Sequence, residues 1–151
     1  RRADAHPDLE GRLNALSTPI RKPLDMKFTV TDRYTFRWPV KVKVPDQARP
    51  GQVNTQQFVM EFEALPSTRA AELDAERNAL ATEDERAAFD IDFLVKVSRD
   101  WDDSVVDEAG KPVPFAAETL RDLLRQWGFV RVAVYRAYLE GMSGGEARLG
   151  N

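Results

Sequence analysis

Apolar and polar positions alternate along residues 36–44. Phe36, Trp38, Val40, Val42 and Val44 fall on one side, and Arg37, Pro39, Lys41 and Lys43 on the other. A period of two built from aromatic and β-branched residues predicts a half-buried strand. Pro39 has no N–H to give to a ladder, which places this strand at a sheet edge or at a bulge. A loop punctuated by Pro45, Pro50 and Gly51 follows. The pattern resumes at residues 55–63, with Phe58, Met60 and Phe62 sharing a face. Two such runs predict an antiparallel hairpin, with Glu61 and Glu63 expected opposite Lys41 and Lys43. An isolated hairpin is marginal in water, so this one needs helices or a second sheet to pack on.

From Ser67 the period becomes helical. Residues 67–80 are rich in Ala, Glu, Arg and Leu, all strong helix formers. Thr82-Glu83-Asp84-Glu85 has the form of a capping box and predicts a new helix running to about Arg99. Ala87, Ile91, Leu94, Val95 and Ser98 make one face of it; Phe89, Phe93 and Val97, four apart, make a narrower stripe on the far side. Residues 107–111 read as a turn, with Gly110 supplying its permissive backbone. Leu120, Leu123, Leu124 and Trp127, at i, i+3, i+4 and i+7, predict a helix over 116–127 that Gly128 ends. The last helix, 129–142, is apolar on two sides. Val130, Ala133, Val134, Ala137 and Tyr138 form one face, and Phe129, Val132, Tyr135, Leu139 and Met142 the other. The expected architecture is α+β: an N-terminal antiparallel β-hairpin followed by a bundle of about four helices, as a single domain over 26–151.

Residues 1–25 stand apart. Leu9, Leu13 and Leu16 allow a short helix, but the stripe is thin, and Met26 opens a segment that reads like a natural start. This stretch is a tag, an extension or a genuine N-terminal arm. The glycine-rich end, 141–151, is expected to fray.

Composition narrows the function classes. Net charge is −3, so no general attraction to nucleic acid or to an anionic membrane surface is expected. No apolar run approaches the ~20 residues of a membrane span. With no cysteine there is no disulfide, thiolate metal site or cysteine nucleophile. His6 is the one histidine, and it lies in the N-terminal stretch. The acids Asp100, Asp102, Asp103, Asp107 and Glu108 lack the alternating spacing and closing glutamate of a calcium loop. Gly141-Met142-Ser143-Gly144-Gly145 follows a helix instead of joining a strand to one, so it fails as a phosphate loop on context. Lys41, Lys43, Arg33 and Arg37 beside Tyr34, Phe36 and Trp38 loosely mimic a nucleic-acid surface; a strand with one core face and one solvated basic face explains them better. No catalytic residue, metal site or cofactor is expected, and no enzymatic activity.

What stays unexplained is apolar surface: the Phe89, Phe93 and Val97 stripe, and Tyr135, Tyr138, Leu139 and Met142 on the last helix. Either the monomer buries both stripes, or they serve self-assembly or an amphipathic partner helix. These seven residues are the candidate partner contacts.

Several segments together resemble the tail assembly chaperones of long-tailed phages and prophages. They are Met26-Lys27-Phe28 leading into the alternating strand with Pro39-Val40, the second strand ending Phe62-Glu63-Ala64-Leu65, and the stretch from Trp101 onward. Within that last stretch lie Asp107-Glu108-Ala109-Gly110-Lys111-Pro112-Val113-Pro114-Phe115, then Leu120 and Leu123-Leu124, then Ala137-Tyr138-Leu139-Glu140 before a small-residue tail. Ala116, Ala117 and Thr119 depart from the family's polar cap and Asn. The resemblance implies a non-enzymatic assembly factor in the host cytoplasm, absent from the mature virion. It implies a homo-oligomer that binds the tape measure protein, keeps it soluble and helps to recruit the tail tube protein, in many relatives through a frameshifted extension. The alternative is a structural tail or head–tail component that stays in the virion.

Overall fold

The structure is a computed structural model that describes residues 26–144. The expected N-terminal arm with His6, and the end of the glycine-rich tail, lie outside the described residues. The chain divides into a unit of Arg1–Asp32 and a unit of Arg33–Asn151. In the first, residues 26–32 carry no helix or strand. All regular structure described below belongs to the second.

The hairpin forms as the alternation predicts: β1 (Thr35–Pro45) runs antiparallel to β2 (Val53–Glu63) with an unbroken register. Pro39 indeed lies on an edge strand, because the sheet order is β1-β2-β3. The expected charge pairing does not form. Lys41 lies opposite Gln57 and Lys43 opposite Thr55, while Glu61 faces Arg37 and Glu63 faces Thr35. Glu63 finds its cations elsewhere. Arg33 donates to it through Nε at 2.9 Å and Nη2 at 2.7 Å, and Arg99 grips its Oε1 from the other side. The two guanidiniums, Arg33 first, pull the Glu63 carboxyl down to about 2.

Arg99 belongs to a strand that the helical reading missed. Three helices follow the hairpin's pattern closely: α1 (Ser67–Asn78), α2 (Glu83–Val97) and α3 (Ala117–Gln126). The α2 start carries both halves of the capping box between Thr82 and Glu85. Its end is earlier than expected. At Ser98 the backbone turns extended, and β3 (Ser98–Trp101) pairs directly with the open edge of β2. The ladder joins Met60 to Trp101, Glu61 to Asp100 and Phe62 to Ser98, so it skips Arg99 in a bulge. That extra residue is the one whose side chain reaches Glu63.

Trp101 then organises the turn beyond β3. Its indole Nε1 donates to the Val113 carbonyl at 2.7 Å, and its ring meets Phe115 edge-on at 5.1 Å. Asp107 closes the turn by accepting from the Ala109 and Lys111 amides, with Gly110 at a φ of 83°. Trp127 ends α3 and also begins α4 (Gly128–Met142), so no linker separates the two helices.

The core lies between one face of the sheet and the helices. Val40, Met60, Phe62, Leu94, Leu120, Leu124 and Val134 are fully buried there. Helix α4 packs along β1, and the contact point is aromatic. The Tyr138 ring lies 6.0 Å from Phe36, 5.5 Å from Phe62 and 5.2 Å from Phe93. Its hydroxyl accepts from the Leu65 amide at 3.2 Å. Gly141, one turn on, presses its backbone against the Phe36 ring, and a Cβ there would collide with it.

Two outcomes follow. Gly141→Ala gains up to ~1 kcal/mol of helix propensity and incurs the ~1–3 kcal/mol of overpacking against a ring already held by Phe62 and Tyr138. A net loss of about 1–2 kcal/mol is expected in urea unfolding, and an equally stable variant would remove the argument. Glu63 is ionised in the fold below its ordinary value of 4.5, so its contribution is full above that pH and is lost as pH falls toward 2. Wild type should exceed Glu63→Gln in melting temperature at pH 6, with the gap closing progressively between pH 4.5 and 2.

Candidate partner-binding surface

Helix α4 carries fifteen residues, of which Arg131, Arg136 and Glu140 are charged. At 100° per residue, Val130, Ala133, Val134, Ala137 and Tyr138 converge on one side, and all five are buried. The opposite side stays apolar and open. Trp127, Phe129, Val132, Leu139 and Met142 are each between 38% and 49% exposed. Trp127 and Phe129 pair their rings at 5.9 Å at the helix start. Val132, Tyr135, Leu139 and Met142 then follow at spacings of three, four and three, which is the spacing of a coiled-coil seam.

The expected contacts divide across this geometry. Leu139 and Met142 lie on the open seam. Tyr135 lies at its margin, half-buried, with its ring 5.7 Å from Phe93. Burial raises the Tyr135 hydroxyl above its ordinary value, and the nearby Asp90 carboxylate adds to the shift. Phe89 is half-buried on α2, and Phe93 is packed against the core. Val97 and Tyr138 are inside, 1% and 4% exposed. Helical spacing put Val97 on an outer stripe; the helix-to-strand switch at Ser98 turns that end of α2 under the sheet. Tyr138 packs its ring on three aromatic neighbours and its hydroxyl accepts from the Leu65 amide, all within the core.

Three seam or seam-end residues escaped the candidate set: Trp127, Phe129 and Val132. Trp127 read as the last position of the α3 leucine stripe. The turn between α3 and α4 falls on it, and the ring swings out instead. Val132 was legible, since it shares its face with Leu139 and Met142.

The charges that α4 itself places beside the seam are basic. Arg131 and Arg136 flank it on opposite sides, and neither makes an ion pair among the described residues. Arg131 also lines a cleft of about 350 Å³ whose other charged residues are Asp84, Asp92, Arg121 and Arg125. Arg121 is matched there by Asp92, and Arg125 lies 3.8 Å from Asp122. Glu140 is turned away, toward the Trp38 indole at 3.4 Å. On the α2 side, Arg77 of α1 donates to both oxygens of buried Asp90, at 2.7 and 3.1 Å.

Two of the acids that looked like a loop cluster have structural roles. Asp102 accepts from the Val59 and Ser104 amides, and Asp107 holds its own turn. No group of three or more His, Cys, Asp or Glu that could hold a metal occurs among the described residues. No helix among them is long and apolar enough to cross a membrane.

A family model described as phage tail assembly chaperone matches residues 25–151. No curated protein and no solved structure matches the chain.

The two sides of α4 should respond oppositely to charge. Leu139→Asp removes little buried area and is expected to stay within ~1 kcal/mol of wild type, whereas Tyr138→Asp buries an unpaired carboxylate and is expected to cost more than ~4 kcal/mol or abolish folding. Circular dichroism melts of the two variants decide it; similar melting temperatures would mean that the helix faces are wrongly assigned.

Proposed function

The chain belongs to the phage tail assembly chaperone family, and from that membership we propose that it binds the tape measure protein and keeps it soluble until the tail tube forms around it. The observation that carries this reading is the open seam on α4. A long amphipathic client helix exposes an apolar stripe, and a chaperone for it has to offer a complementary stripe of its own. Val132, Leu139 and Met142, with Tyr135 at the margin and Trp127 and Phe129 at the end, supply one without loss of the core. Phe93, half-buried on α2, borders it on the Tyr135 side, and Phe89 lies one turn earlier on the same helix.

Binding of this kind uses no cofactor. It requires several copies along a client much longer than one domain, so the working form is a homo-oligomer arrayed on the tape measure protein. Recruitment of tail tube subunits then releases the chaperone, which acts in the host cytoplasm and stays out of the finished particle.

Co-expression tests the reading. With wild type, the tape measure protein should appear in the soluble fraction and co-purify; with Leu139→Asp or Val132→Asp, both folded, the soluble yield should fall several-fold. Proteomics of purified particles should find the chaperone absent. Unchanged solubilisation by both seam variants would end the assignment of this surface.

A further inference from the structure

The charges beside the seam say which helix it accepts. In heptad terms Val132 and Leu139 take a positions, Tyr135 and Met142 take d positions, Arg131 falls at g and Arg136 at e. The flanking charges of the seam are thus both positive. The remaining e and g sites offer no balancing acid, since Ser143 is neutral and Tyr138 is buried. Glu140, the sole acid of α4, lies toward Trp38.

This arrangement opposes self-pairing in either orientation. In a parallel pair, g of one helix meets the following e of the other, so Arg131 would face Arg136 of a second copy on both sides. In an antiparallel pair, e meets e and g meets g, so like guanidiniums would again face one another. Opposite charges at these positions set partner choice in coiled coils, and like charges reject it.

We infer that the α4 seam is selective for a foreign amphipathic helix whose apolar 3-4 stripe is bordered by carboxylates, and that it rejects a second copy of this chain. The inference rests on the chaperone reading and adds to it the charge of the bound segment. Self-association, where the oligomer forms, must then use another surface than this one.

Two synthetic three-heptad peptides test it directly. Both carry leucine at a and d; one carries Glu at e and g, the other Lys. By fluorescence anisotropy at low salt, wild type should bind the Glu peptide about tenfold more tightly or better, as a few flanking pairs each worth ~0.2–1 kcal/mol imply. The preference should shrink at high salt. Arg131→Glu/Arg136→Glu should reverse it, and Arg136→Glu alone, at an exposed site, should weaken it if the double variant folds poorly. Equal binding of the two peptides, binding of neither, or a preference untouched by charge reversal would overturn the inference, as would loss of wild-type self-association on Leu139→Asp. Such a failure leaves tape measure solubilisation in co-expression as a separate result. Conversely, Glu-peptide selectivity beside a failed co-expression would retain the seam's charge rule and discard the client.

Discussion

The contact between Tyr138 and the hairpin sets the positions of most other elements. One ring touches Phe36 on β1, Phe62 on β2 and Phe93 on α2, and its hydroxyl takes the Leu65 amide just past the sheet. Four separate stretches of chain are therefore registered against a single side chain on α4. Gly141 allows the helix to lie close enough for this, since any larger residue would hold the Phe36 ring away. With that face of α4 fixed against the sheet, the opposite face has to point outward, and its apolar residues follow.

Electrostatics is arranged on the same plan, with the buried or crowded charges matched and the seam's charges left unmatched. Glu63 holds Arg33 and Arg99 together and so ties the start of the hairpin to the bulge in β3. Asp90 holds Arg77, and Asp92 holds Arg121. Arg131 and Arg136 make no ion pair among the described residues. A chain with a net charge of −3 thus presents a local positive border where an apolar partner would lie, a contrast that the overall charge conceals.

The elements whose side-chain period is local were legible in the sequence. Alternation marked β1 and β2, the capping box marked the start of α2, and the leucine spacing marked α3. Strand β3 was not legible, because its four residues continue a helical pattern and become a strand only when the β2 edge offers them hydrogen bonds. The hairpin register was misread as well: charge matching pointed to Lys41 and Lys43, whereas the strands set Arg37 opposite Glu61 and Thr35 opposite Glu63. The two apolar sides of the last helix could be read, but helical spacing alone does not tell which side meets the sheet. Tyr138 and Leu139 are neighbours in sequence, both apolar in character, and only the packing separates core from seam.

Helix α1 has no buried residue, and the bidentate Arg77–Asp90 pair is its strongest tie to the rest of the chain. Elements with so little buried area open at a small fraction of the global unfolding free energy. Its departure would leave Asp90 without its cation and would remove Arg77 and Asp74 from the field at the Tyr135 hydroxyl. The domain therefore has a built-in hierarchy: a body whose core is shared by the sheet, α2, α3 and α4, and a lightly held helix α1 that is tied to it by charge more than by buried area.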